Sequence, residues 1–229
     1  MEITGKKSRI LGLAFLIQFV TSFACGVFVL PMATGVKSFS GPEGIGRTMA
    51  TIAGNAGLIR LTVFMELITA VAVIFLAAML YTVVKKGSEG LGMTAFGLYV
   101  LGGALLVITK LILFALLVSS REYMAADSPA SMEPMAGLMY ETMEYSFRMA
   151  NFAFCLGLTF FYALLWKVYA VPRPLSLWGL ISIQGVLVSV VMRLFGMEAP
   201  ILLSVPYIPF ELVIGLWILV KGVQTEAVV

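Results

Sequence analysis

The chain alternates between long apolar runs and short polar connections, and six of the runs are long enough to cross a membrane. A helix needs about 20 predominantly apolar residues to cross the hydrocarbon layer. The runs are continuous rather than alternating, and they far exceed the roughly 9–11 residues of a membrane barrel strand. We therefore predict an all-α fold, a polytopic integral membrane protein built as a bundle of six transmembrane helices. The predicted spans lie near residues 10–32, 56–84, 91–118, 147–170, 174–195 and 200–221.

The connections between the predicted spans are short, with two exceptions. Residues 33–55 form a Gly-rich link, and residues 119–140 form a polar, Met-rich link that ends as an amphipathic lead-in to the fourth span. Residues 85–87 and 171–174 mark tight turns; in the second, Pro174 suits the first turn of a helix. No connection is long or polar enough to separate domains, so we expect residues 1–229 to form a single transmembrane domain.

Composition excludes several classes of protein. Hydrophobic residues make up 61% of the chain and charged residues 12%, with a mean hydropathy of +1.04, whereas soluble domains are about 45–50% apolar and about 25% charged. The sequence contains no histidine, which excludes histidine-ligated metal and haem sites and His-dependent catalytic triads. We expect no cofactor, no metal site and no nucleic-acid partner.

Basic residues flanking the spans predict the orientation, because cytoplasmic loops carry an excess of lysine and arginine. With the N-terminus inside, eight basic residues lie on the inner flanks and three on the outer flanks. The inner ones are Lys6, Lys7, Arg9, Lys85, Lys86, Lys167, Arg173 and Lys221, and the outer ones are Lys37, Arg47 and Arg121. This asymmetry predicts a multi-pass protein of the cytoplasmic (inner) membrane with both termini in the cytoplasm.

Seven ionisable residues inside or at the edge of the predicted spans are the most informative polar positions, because a charge at bilayer depth costs several kcal/mol and normally faces the bundle interior. They are Arg60, Glu66, Lys110, Glu144, Arg148, Arg193 and Glu211. In the predicted orientation all seven fall in the outer halves of five spans. This common depth indicates either a binding site or a set of ion bridges that fixes the register of the helices.

Helical spacing places several of these charges on polar stripes. The stripe on the fourth span contains Glu141, Glu144, Arg148, Asn151, Cys155, Thr159 and Tyr162, which recur at the three- and four-residue steps of one helix face. On the second span, Thr62, Glu66 and Thr69 share a face that Arg60 does not share, and Tyr207 lies one turn above Glu211. Such stripes predict the walls of a polar cavity that opens outward.

Two interpretations of the charges stay open. Four bases and three acids can pair into bridges that only set helix register, or they can line a cavity that binds a ligand. The excess of one positive charge favours an anionic or zwitterionic ligand, with Arg148 donating to it between Asn151 and Glu144. Lys110 is the best single candidate, because a buried lysine can act as a base or carry a proton.

A methionine stripe on the outer side raises the separate question of whether the protein binds copper. It consists of Met132, Met135, Met139 and Met143, and thioether ligands suit Cu(I). Adaptable packing is the better explanation in a chain with 14 methionines, since methionine fills irregular gaps in apolar cores.

Three segments resemble a family of six-helix prokaryotic membrane proteins known as domain of unknown function 4386. They are Asn55-Ala-Gly-Leu-Ile-Arg60 with Glu66 and Leu80-Tyr81, then Val171-Pro-Arg-Pro-Leu-Ser-Leu-Trp-Gly179, then Pro209-Phe-Glu211 with Leu216-Trp-Ile-Leu-Val-Lys-Gly222. The chain departs from the family where an arginine and an acid often stand early in the third span, since it has Phe96-Gly97-Leu98-Tyr99 there. The resemblance implies a six-helix membrane fold and implies no activity.

The leading functional hypothesis is a membrane protein with an outward-facing polar cavity that binds a small polar or anionic molecule, with transport of that molecule as an extension. One alternative is an accessory subunit whose charges brace helices in a larger membrane complex. The other is a membrane enzyme that acts on a lipid or isoprenoid with Glu or Lys as acid–base groups. Expected partners are the lipid bilayer, a small anionic or zwitterionic ligand, and another membrane protein or a second copy of the chain.

Overall fold

The computed structural model describes residues 5–36, 44–125 and 129–224, and within these ranges the chain is helical apart from its turns. The α-helices are α1 (Gly5–Ala24), α2 (Leu30–Thr34), α3 (Ile45–Gly54), α4 (Ala56–Val84), α5 (Glu89–Ala125), α6 (Glu133–Lys167), α7 (Arg173–Leu194) and α8 (Tyr207–Lys221). Within the described residues, six helical segments are long and apolar enough to cross a membrane. The predicted all-α, six-span membrane fold is therefore confirmed.

The first span is one continuous helical segment with a local change of pitch. A π-helical turn, Cys25–Val29, joins α1 to α2, and Pro31 follows in the first turn of α2. Single π turns inside longer helices are found frequently at functional sites. Gly35 ends α2 at a left-handed φ of +71°, and its N–H donates to the Pro31 carbonyl at 2.9 Å, as glycine does at many helix ends.

The two long links contain more helix than the sequence predicts. Helix α3 lies in the 33–55 link and buries Thr48, Met49 and Ile52 on one face, although the surrounding glycines favour a loop. Residues 37–43 of that link, including Lys37, lie outside the described residues, as do residues 126–128 of the second link. Helix α6 begins at Glu133 and buries Ala136, as the amphipathic lead-in requires.

The last span, Ile201–Lys221, lies where the sequence predicts it, but its α-helix begins inside the span. A 3₁₀ turn, Ile201–Leu203, follows Pro200, and α8 starts only at Tyr207, after Pro206. Proline lacks the amide hydrogen that an α-helix interior requires, which favours a helix start after Pro206 over a helix that runs through it from residue 200.

The described chain divides into two compact units. Unit 1 contains α1 up to Phe19, α4 from Ala70, α5 up to Ala104 and the chain from Arg148 onwards. Its core includes Leu80, Phe161, Tyr162, Phe210 and Ile214, all fully buried. The backbones of α1 and α8 approach closely there, since a Cβ added at Gly12 would collide with the Leu219 backbone.

Unit 2 contains Val20–Thr69, apart from the residues not described, together with Leu105–Phe147 on α5 and α6. Its core consists of side chains from α3, α4, α5 and α6, among them Met49, Ile52, Ile59, Leu113 and Leu116. The Glu66–Lys110 pair described below lies within this unit. The expectation of a single domain over residues 1–229 stays a prediction.

Candidate functional site

A buried ion pair lies inside unit 2. The Lys110 Nζ atom is 3.4 Å from a Glu66 carboxylate oxygen. The two residues are only 4% and 5% exposed. The pair joins α5 to α4, and it removes two formal charges from contact with lipid and water.

Both charges are deep inside their helices. Glu66 is ten residues from the start of α4 and Lys110 is fifteen residues from the end of α5, which corresponds to about 15 Å and about 22 Å along the helix axes. These depths are too large for either side chain to reach the helix ends. The pair is therefore a charged site within the hydrocarbon-length part of two spans, where ionisable residues usually have a function.

Hydroxyl and thiol groups surround the Glu66 side of the pair. Thr62 and Thr69 lie one turn to either side of Glu66 on the same buried face of α4, and the Thr69 hydroxyl is 2.7 Å from the Thr21 hydroxyl on the first span. Cys25, which begins the π turn, lies beside the Glu66 carboxylate, and its thiol donates to the Thr62 carbonyl at 3.8 Å. The Cys25 thiol is thus beside the carboxylate, and the two threonines on its helix face donate to the Leu58 and Met65 carbonyls of α4.

A second set of contacts connects the Lys110 side to α6. The Thr109 hydroxyl donates to the Ser146 hydroxyl at 3.0 Å, and the Ser146 hydroxyl donates to the Leu105 carbonyl at 3.4 Å. The Lys110 ammonium lies 5.7 Å from the centroid of the Phe147 ring, within the range of a cation–π interaction. Thr109, Ser146 and Phe147 were not predicted as site residues; the available signal was their position in the chain beside Lys110 and Arg148.

Arg148 contacts a helix end in unit 1. Its Nη1 atom donates to the Arg193 carbonyl at 3.1 Å, and that carbonyl also accepts from the Gly196 N–H at 3.2 Å. The last carbonyls of a helix lack partners within the helix, and a basic side chain near the C-terminus satisfies them. Arg148 thus completes the C-terminal end of α7.

A chain of hydroxyl groups leads to the carboxylate of Glu211 in unit 1. The hydroxyls of Tyr162 and Tyr207 are 3.3 Å apart, and the Tyr207 hydroxyl donates to a Glu211 oxygen at 3.2 Å. Tyr162 is fully buried, whereas Tyr207 and Glu211 are half-buried. The fully buried Phe210 packs edge-on against the Tyr162 ring at 5.1 Å.

The remaining candidate residues have less buried positions. Arg60 is exposed on α4, and Glu144, Asn151 and Arg193 are half-buried and engaged in contacts. The structure brings Glu66 together with Lys110, Arg148 with Arg193, and Tyr207 with Glu211. The convergence of all the candidate charges on one site stays a prediction.

The methionine stripe belongs partly to the core of unit 2. Met143 is buried, Met139 packs against that core and accepts a weak hydrogen bond from Ser119, and Met135 is 62% exposed. Among the described residues, no group of three or more cysteine and carboxylate side chains has the arrangement of a metal site. Met139 and Met143 form packing contacts in this unit.

Comparison with known proteins identifies the family. The family model described as Domain of unknown function (DUF4386) matches residues 10–222, which is nearly the whole chain. The chain belongs to this family. The curated proteins and the solved structures gave no match. The DUF4386 chain is an integral membrane protein with six apolar helical spans.

Proposed function

We propose that this DUF4386 protein binds a small anionic or zwitterionic molecule at the Glu66–Lys110 site of unit 2 and moves it across the membrane. The observation that carries the proposal is the coordination of Lys110. An ammonium group has three N–H donors. Within the described residues, Lys110 has one carboxylate at 3.4 Å and one aromatic ring.

The length of this ion pair also supports the proposal. Charge-assisted hydrogen bonds between nitrogen and carboxylate oxygen are typically about 2.7–2.9 Å long, and the Glu66–Lys110 distance is 3.4 Å. A carboxylate or other anion of a ligand can therefore bind the remaining ammonium donors. The hydroxyls of Thr21 and Thr69 and the thiol of Cys25 would hold the rest of a small polar molecule near Glu66.

The sequence singled out Lys110 and also gave Arg148 a donor role toward the ligand; the proposal keeps Lys110 and drops that role of Arg148. Arg148 already donates to the Arg193 carbonyl, so a ligand would have to compete with a helix end for its guanidinium. Among the described residues, Lys110 has one carboxylate and one ring as partners in a buried site, and a buried cation without full compensation favours an incoming anion. Arg148 is accordingly assigned a stabilising role in the proposal.

A thermal-shift screen of the purified protein tests this assignment. Small carboxylates, inorganic phosphate and zwitterionic amino acids are screened separately, and at least one of these classes is expected to raise the unfolding temperature. The Arg148→Gln variant serves as a control that should unfold at a lower temperature and retain the same ligand-dependent increase. Loss of the increase in Arg148→Gln would instead place the ligand on Arg148.

The proposed cavity opens outward only in the predicted topology. Cysteine labelling from each side of the membrane, in a background with Cys25 and Cys155 replaced by alanine, tests that orientation. Single cysteines at positions 87 and 172 are expected to react from the cytoplasmic side, and a cysteine at position 197 from the outer side. Labelling of position 87 from outside would contradict an inner-membrane protein with cytoplasmic termini.

An accessory role is the second candidate, and the contacts between helices favour it to some extent. The Thr109–Ser146 bond and the Glu66–Lys110 pair each connect two spans, and buried polar contacts of this kind can fix helix register without binding anything. In that case, the protein would contribute a braced helical scaffold to a larger membrane complex. None of the three classes of compound in the thermal-shift screen would then raise its unfolding temperature.

A further inference from the structure

An apolar groove lies on the surface of unit 1 between α7 and α8. It has a volume of about 280 Å³, close to the lower end of small-molecule sites, and it is lined by Pro172, Pro174, Leu175, Trp178, Val213 and Trp217. Both tryptophans are 37% exposed. The groove is thus open to the surroundings of the helices and offers no polar side chain along its length.

The Trp178 ring forms a fixed wall of this groove. Its indole N–H donates to the Pro206 carbonyl at 3.2 Å, and its ring packs against the buried Phe210 ring at 5.7 Å. Gly179 allows this packing, since a Cβ there would collide with Phe210. The hydrogen bond to Pro206 and the contact with Phe210 therefore fix the Trp178 ring on its buried side. Its exposed side faces the groove.

Basic residues lie at one end of the groove. Arg173 stands between the two lining prolines, and Lys221 lies one turn beyond Trp217 on the same face of α8. Both residues are exposed. The Arg173 guanidinium lies 4.3 Å from the centroid of the Tyr169 ring and donates to the Tyr169 hydroxyl. A stacked guanidinium keeps N–H donors for a phosphate.

We propose that this groove binds an anionic glycerophospholipid, with an acyl chain along the two tryptophans and the phosphate at Arg173 and Lys221. The apolar lining matches a hydrocarbon chain, and the two cations at its end match a negatively charged headgroup. Juxtamembrane lysine and arginine residues attract anionic lipids, and tryptophan rings are enriched where chains meet headgroups. This lipid site is separate from the proposed ligand site of unit 2.

Quenching of tryptophan fluorescence by brominated lipids tests the lipid site. The Trp166→Phe background leaves Trp178 and Trp217 as the tryptophans of the chain. The protein is reconstituted in phosphatidylcholine vesicles that contain a small fraction of either phosphatidylglycerol or phosphatidylcholine with brominated acyl chains. Half-maximal quenching of the tryptophan fluorescence is expected at a concentration of brominated phosphatidylglycerol on the order of tenfold lower than that of brominated phosphatidylcholine. The reason is the presence of two basic residues at the headgroup.

Two paired variants separate specific binding from general attraction to a charged surface. Arg173→Gln with Lys221→Gln should reduce the preference for phosphatidylglycerol to near unity. Lys85→Gln with Lys86→Gln removes the same charge from the exposed α4–α5 turn and should leave the preference intact. Equal quenching by the two lipids, or equal loss of preference in both paired variants, would overturn the proposal. Relief of quenching by inorganic phosphate alone would also overturn it, because the site would then recognise a free anion.

Discussion

Replacement of Lys110 by methionine is expected to destabilise the protein by about 3–5 kcal/mol, because it leaves the Glu66 carboxylate buried without its partner. The Lys110 and Glu66 side chains are only 5% and 6% exposed, so water cannot compensate the lost interaction. The Glu66→Leu/Lys110→Met double variant is expected to recover most of this loss, since apolar replacement of a buried pair is often neutral or stabilising. Chemical unfolding in detergent, arranged as a double-mutant cycle, measures both effects.

The paired control for this cycle is Lys86→Gln with Glu89→Gln. Both residues are exposed at the α4–α5 turn, and exposed charges contribute little to stability. Their removal should leave the unfolding free energy nearly unchanged. If Lys110→Met were as stable as the wild type, the ion pair would not be the buried contact that the structure describes.

Substitution of Gly12 by alanine is expected to destabilise the protein by about 1–3 kcal/mol, the usual cost of overpacking. A Cβ at Gly12 would meet the backbone nitrogen and Cα of Leu219 and, at 2.8 Å, the Gly215 carbonyl oxygen. Backbone atoms cannot rotate away as a flexible side chain can, so α1 and α8 would have to separate. Thermal unfolding of the purified variant measures the effect.

Gly97→Ala is the matched control for Gly12→Ala. Gly97 also lies in a helix of unit 1, but nothing lies within 4 Å of a Cβ placed there. Alanine is preferred to glycine in a helix interior by about 0.5–1 kcal/mol, so this variant is expected to be slightly more stable than the wild type. A loss of stability in Gly97→Ala equal to that in Gly12→Ala would show that the α1–α8 contact is not responsible.

The sequence predicts the membrane fold well because the spans are defined by hydrophobicity alone. Continuous apolar runs gave six spans and an all-α fold, and the structure contains them. Helix α3 was missed because its glycines obscure a short amphipathic pattern. The last span was located correctly, but the 3₁₀ turn before α8 was not predicted because Pro206 lies inside an apolar run. Hydrophobicity locates a span, but local backbone chemistry determines where its helix begins.

The candidate site was only partly predictable, for a related reason. The free-energy cost of placing a charge in the bilayer indicates that Glu66 and Lys110 avoid lipid, and the structure pairs them. Sequence spacing within one helix cannot show which residue of another helix lies opposite, so Ser146 and Phe147 were not identified. Arg148 was expected to bind a ligand. Its contact with the Arg193 carbonyl was not predicted, because that contact depends on where α7 ends.

Binding to the Glu66–Lys110 site is best tested by repeating the thermal-shift measurement on the Glu66→Leu/Lys110→Met double variant, with the compound that stabilises the wild type. This variant should fold, so a missing response cannot be attributed to unfolding. We expect the ligand-dependent increase in unfolding temperature to disappear in the double variant and to persist in Lys86→Gln with Glu89→Gln. An increase of equal size in the double variant would contradict a binding site built on Lys110.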